Sequence, residues 1–319
     1  MPIIVFFLLS TALACIAMAW LPEIALIPAI AWGGILIVSA LYLEEKKILL
    51  LFLFNLTILL FMAGAHQLLY YLAFFGIAAL IMSLLTSRKA DYYQIQKVGI
   101  SAAVLGVSAF LLWSYIYSGG IGINEFEAQL GHSAQESIRI YQQLGIFDAY
   151  EQIGISPEEF ESSLKRTIEG FARHLPTIYY IQAIIAVFFM LLLASRTAQK
   201  LKHERLKKKP FKEERMPWQL VWVAIVGMGL WIWGRDQLNP IYYLGSNILW
   251  TLVPIAVYFG LATIVHKIAG RRRSARVLII LGIIFLTLAL PLSAIIFLSI
   301  IGLFDSLVDF RKLRTGQEE

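Results

Sequence analysis

VGISAAVLGVSAFLLWSYIYS, running from Val98 to Ser118, contains no charged residue. As helix, such a run matches the thickness of a bilayer core, which takes about 20 residues to cross. Ile178 to Ser195 is a second run of the same kind. Both are continuously apolar, whereas the strands of a membrane barrel alternate. Open sheets are excluded because lipid offers nothing to an unpaired backbone group. The fold class that follows is an all-α polytopic integral membrane protein.

Composition agrees along the whole chain. Hydrophobic residues make up 59% and charged residues 15% of 319, with a mean hydropathy of +0.73. A soluble chain of this length needs more charge to cover its surface. The net charge of +6 could suggest nucleic acid. The cations instead fill short loops between apolar runs, which is the signature of topology. Cys15 is the one cysteine, so an intrachain disulfide and a thiolate cluster are excluded. The N-terminus carries neither a basic leader nor a convincing cleavage site and reads as a retained first span.

Outward from these runs, span 1 covers Ile3 to Trp20, and Leu21-Pro22-Glu23 turns into span 2, which ends at Leu43. Glu44 to Lys47 is an aqueous loop. Span 3 is Ile48 to Ala63, Gly64-Ala65-His66 reverses the chain, and span 4 is Gln67 to Leu85. A polar loop at 87–97 precedes span 5 at Val98. The segment 119–174 is acidic and reads as two amphipathic helices. Asn124 can cap the first and Gly145 can end it. Ser156-Pro157-Glu158-Glu159 opens the second with a capping box. Span 6 leads into a basic run at 196–215, expected to be an amphipathic helix on anionic lipid. Spans 7 and 8 run from Trp218 to Gly234 and from Ile241 to His266.

Lysine and arginine set the orientation. The loops at 87–97, 196–217 and 267–276 belong in the cytoplasm, which puts the N-terminus inside and 119–174 outside. Val277 to Phe304 measures roughly 42 Å as one helix, long for one pass and short for two. Arg311, Lys312 and Arg314 favour two passes, giving about ten transmembrane helices in all, with nine as the alternative. The domains are then 1–118 with spans 1–5, the acidic extracytoplasmic segment 119–174, span 6 at 175–195, the basic cytoplasmic loop 196–217, and spans 7–10 with a cytoplasmic tail at 218–319.

No P-loop, H-E-x-x-H or G-x-S-x-G motif occurs, so neither enzymatic activity nor a cofactor is expected. The five histidines show no ligand spacing, and no metal site is expected. Polar residues inside spans are costly in lipid and therefore informative. Asn55, Gln182 and Asn247 are candidate ligand contacts. Arg235, Asp236 and Asn239 lie where span 7 meets the outer surface and are further candidates, and Arg235 could close on an anionic group. Each has a plain structural alternative in interhelical hydrogen bonds or a surface ion pair. Small residues at four-residue spacing, as in Ala25-Ala29-Gly33, Gly99-Ala103, Ala102-Gly106 and Ala256-Gly260, permit close helix contact. In the tail, Asp305 and Asp309 are expected to pair with basic residues of the 196–215 or 267–276 loops. Arg311 is expected to reach the headgroups.

The C-terminal third carries a resemblance. Asn247, the Gly260-Leu261-Ala262 run, the basic loop, the Pro291 break and the closing Gly302 to Lys312 resemble the YybS-like predicted membrane proteins of bacteria. Leu175-Pro176 after the outer helix also fits. That family is similar at a distance to the substrate-binding S components of energy-coupling-factor vitamin transporters and to the cell-shape protein MreD. The resemblance implies a ligand-binding core in spans 1–6 of a multi-pass protein of the bacterial cytoplasmic membrane. Neighbouring genes for a cyclic-dinucleotide phosphodiesterase imply a signalling or envelope partner. The leading expectation is a non-ATPase transporter component that binds a small solute between helices and is energised by a partner module. The alternative is a non-enzymatic scaffold for an envelope or cyclic-dinucleotide signalling protein. The bilayer itself is the expected partner in either case, and nucleic acid is not.

Overall fold

A computed structural model describes residues 3–144, 156–235 and 240–311. They form helices joined by short turns, with no strand among the described residues. The chain divides into two compact units, Met1–Lys208 and Lys209–Glu319.

The first unit begins with α1 (Ile3–Trp20), a 3-10 turn at Pro22–Ile24 and α2 (Leu26–Ser39). One face of α1 is buried through Phe7, Thr11, Ala14, Cys15 and Met18. Phe6, Leu9 and Leu13 stand exposed on the other, an apolar surface suited to lipid. The helix α3 (Glu45–Tyr71) passes through a π turn at Leu72–Gly76 into α4 (Ile77–Ser87). It starts at Glu45, so most of the expected loop at 44–47 is its first turn.

Glu45 to Ser87 is apolar over 43 residues. Laid straight, such a helix would separate its ends by about 64 Å. Yet Arg88 Nε and Nη2 donate to the two carboxylate oxygens of Glu45 at 2.9 and 3.0 Å. The reversal occurs at Gly64, whose φ of 81° and ψ of 172° are non-helical. A Cβ there strains that conformation, which glycine adopts freely. The segment is therefore a helical hairpin, with the reversal that Gly64-Ala65-His66 implied. In a Cys15→Ala chain, Glu45→Cys and Arg88→Cys are expected to be bridged within one chain by a short bis-maleimide, detected as a linked peptide by mass spectrometry. Failure to bridge would restore a single straight helix.

Next come α5 (Tyr92–Ser118), α6 (Ile123–Gln143), α7 (Pro157–Ala172) and α8 (Leu175–Lys200). The Asp91 carboxylate caps α5 by accepting from the backbone N–H of Tyr93 and Gln94. The polar loop is thus shorter than 87–97, because Tyr92 to Lys97 are already helical. Asn124 is not a cap: α6 starts one residue earlier, with Gly122 in a left-handed conformation at the N-cap. The expected stop at Gly145 lies outside the described residues. The capping box of α7 is formed, with Ser156 and Glu159 each bonding the other's backbone N–H. Phe126 of α6 meets Phe171 of α7 at 6.3 Å between ring centroids.

Small residues are consumed by packing inside this unit. Gly33 and Gly34 of α2 face Met190 and Leu193 of α8, and Gly99 of α5 faces Met82 and Val187. The run at 196–215 is not an amphipathic helix. After Lys200 the chain turns, with positive φ at Lys202 and Leu206. Leu206 is buried, and its carbonyl accepts from Ser195 Oγ at 2.6 Å. Closely spaced cations repel one another along a helix, and Pro210 cannot continue one.

The second unit holds α9 (Gln219–Trp233), α10 (Pro240–Ala269), α11 (Arg273–Ala289) and α12 (Pro291–Val308), preceded by a 3-10 turn at Phe211–Glu213. Gly227 of α9 meets Ile248, and Trp231 meets Tyr242, so α9 and α10 run antiparallel. The ambiguous stretch 277–304 breaks at Leu290, ahead of Pro291. Arg271 and Phe310, six residues beyond either end of it, line one cleft. A straight helix would hold them about 58 Å apart, so α11 and α12 form a hairpin. Among the described residues, six helical segments are long and apolar enough to cross a membrane, Glu45–Ser87 counted as one, and three shorter apolar helices accompany them.

Candidate functional site

Asn55 is the outlier of the first unit. It projects from the middle of α3 and is fully buried, with neither Nδ2 nor Oδ1 hydrogen-bonded. An amide buried without partners costs on the order of 1–3 kcal/mol. Phe52, one turn earlier, stacks on Trp32 of α2 with ring centroids 5.8 Å apart. Trp32 is also fully buried, and its indole N–H is also unpartnered. Two neighbouring elements thus hold an unspent acceptor and several unspent donors. Trp32 carries a sequence signal of its own: tryptophan belongs at the membrane interface, and this one sits inside an apolar run.

Gln182 of α8 is committed differently. Its Oε1 accepts the Tyr70 hydroxyl at 3.0 Å, while Ser108 and Tyr180 share a hydrogen bond of 2.8 Å. Tyr70, Phe74, Phe110 and Tyr179 pack their rings around these pairs. No hydrogen bond joins Gln182 to Asn55 among the described residues.

The remaining candidates lie in the second unit. Asn247 Nδ2 donates to the Tyr243 carbonyl one turn back at 2.7 Å, and Ser246 also bonds to it. Arg235 is exposed, with its guanidinium 6.0 Å from the Trp231 ring. Asp236 and Asn239 lie outside the described residues. Of the described candidates, Asn55 and Gln182 belong to the first unit, and Arg235 and Asn247 to the second. His132 is exposed beside Glu136, and no group of three metal-ligating side chains occurs among the described residues.

A cluster of charged side chains in the second unit gathers at the end of α12. Asp309 adopts a left-handed φ of 51° and ends the helix. The chain turns back there, and Arg311 folds onto the helix it follows. Its side chain is fully buried, with Nη2 2.7 Å from Asp305 Oδ2 and Nε donating to the same oxygen at 2.9 Å. Nη1 donates to the Lys212 carbonyl at 2.9 Å and Nη2 to the Glu214 carbonyl at 2.7 Å. The Glu214 carboxylate, also buried, accepts the Tyr258 hydroxyl. Asp309 lies 4.0 Å from Arg215.

Arg311 thus does not reach for headgroups, and Asp305 is held by Arg311 rather than by the basic loops. A planar guanidinium satisfies a carboxylate and two carbonyls at once, which a lysine cannot do. With its donors spent inside the fold, the cluster is a tie between the 210–215 strap and the end of α12. Glu214 and Tyr258 were not foreseen, since they are 44 positions apart and nothing local links them.

No curated protein and no solved structure matches the chain. One family does, over residues 8–306, and its description is a predicted membrane protein (DUF2232). With nearly the whole length matched, the chain belongs to this family of membrane proteins.

Proposed function

We propose that the protein is a YybS-like component of the bacterial cytoplasmic membrane that binds a small polar solute among the helices of the 3–208 unit. It does no covalent chemistry itself, and a partner module supplies the energy. About ten passes, with both termini inside, satisfy the lysine and arginine distribution. The Gly64 and Leu290 reversals support that count. The observation that carries the binding proposal is Asn55, a fully buried amide with both polar atoms unpartnered. Folding alone gives no return on such a group, whereas a solute carrying a donor and an acceptor does.

The test is thermal unfolding of the purified full-length protein against a panel of vitamins and polar metabolites. A ligand that binds the folded state raises the midpoint. Asn55→Leu is expected to remove that rise while leaving stability unchanged or improved, since no protein hydrogen bond is lost. If no panel member raises the midpoint and Asn55→Leu lowers it, the amide is structural and the scaffold reading takes its place. That second reading draws on Ile140, Leu144 and Phe171, which are exposed on α6, after it, and on α7.

A further inference from the structure

The cleft of the second unit is walled by carbon on one side and crowned by cations on the other. Ile264, Ile268, Ile279, Ile301 and Phe310 supply the wall, and Lys267 and Arg271 the crown. Lys267 and Arg271 lie four residues apart, at the end of α10 and just past it, so they share one side of that helix end. Neither has a carboxylate partner among the described residues. Arg276, the nearby alternative, is already spent: its Nη2 donates to the Ala269 carbonyl at 3.0 Å.

Nor does the stretch that carries most of the cleft supply an anion. From Pro240 to Phe304 the sequence contains no aspartate or glutamate. Asp305 is occupied by Arg311, and Asp309 faces Arg215. Two cations at the rim of an apolar cleft, at the end of a membrane helix, complement a molecule with a phosphate at one end and hydrocarbon at the other. The positive-inside rule puts this rim at the cytoplasmic leaflet, where anionic lipids concentrate.

We propose that this cleft is a binding site for one anionic glycerophospholipid, its phosphate held between Lys267 and Arg271 and an acyl chain lying against Ile264, Ile279 and Ile301. The lipid fills the cleft between the end of α10 and the α11–α12 hairpin. The site is independent of the solute proposed for the other unit.

The experiment is native mass spectrometry of the full-length protein from detergent micelles doped with phosphatidylglycerol or phosphatidylcholine. Wild type is expected to retain one phosphatidylglycerol and to show no comparable phosphatidylcholine adduct. Lys267→Gln with Arg271→Gln should weaken retention about thirtyfold, the effect of two cations at about 1 kcal/mol each. Lys200→Gln with Lys202→Gln, which removes the same charge from exposed positions, should leave it unchanged. Ile279→Trp, which fills the wall and keeps the cations, should also weaken it. Millimolar glycerol phosphate should not displace the lipid.

Equal loss in both charge pairs would reduce the effect to general surface potential and overturn the proposal. So would retention of phosphatidylcholine at the same level, an unaffected Ile279→Trp variant, or displacement by glycerol phosphate.

Discussion

Arg311→Ala is expected to destabilise the second unit by about 3–5 kcal/mol, the cost of removing one partner from a buried ion pair. The loss has two sources. Asp305 is left as a buried carboxylate with no counter-charge, and the carbonyls of Lys212 and Glu214 lose their donor. Arg311→Lys should recover little, because one ammonium cannot occupy the positions of Nε, Nη1 and Nη2 together. Arg311→Met with Asp305→Leu should recover much of it, since an apolar pair of similar volume avoids the desolvation of both charges. Limited proteolysis within 209–217 and thermal unfolding in detergent report the two effects separately. An Arg311→Ala protein within 0.5 kcal/mol of wild type would show that the tie carries no energy.

The second large effect belongs to the contact between α10 and α12. A Cβ added at Gly260 would run into the Leu298 carbonyl, and one at Gly302 into the Ala256 carbonyl. The two backbones therefore touch, and any side chain at either glycine pushes the helices apart. Gly260→Leu is expected to cost about 1–3 kcal/mol or more by overpacking. The same change at Gly282 of α11 meets open space, so Gly282→Leu should be silent. Comparing the unfolding midpoints of the two variants tests the packing directly. Equal midpoints would mean that the close approach does not hold the helices together.

These cases mark how far the chain could be read without its fold. Span 1 begins and ends where the apolar run does, at Ile3 and Trp20. The Gly64 reversal and the Ser156 capping box also stand where the residues place them. All three depend on residues adjacent in the sequence, and in the apolar runs lipid adds the demand that every backbone group be paired. The same local reasoning failed at 196–215. There the cation count suggested a lipid-facing helix, but turns at Lys202 and Leu206 and the burial of Leu206 and Met216 decide the path.

Asn55 shows both sides of this limit. As a polar residue inside a span, it was a candidate from composition alone. That it would be left with no partner, while Gln182 received the Tyr70 hydroxyl, depends on which helices meet. Apolar runs, turns and caps are properties of adjacent residues, and for these the chain needs only its own order and the bilayer. The burial of Arg311 against Lys212 and Glu214, nearly a hundred positions away, is a property of distant ones. Desolvating a guanidinium is unfavourable until a carboxylate and two carbonyls already stand around it, so that choice is made by packing, after the helices have formed.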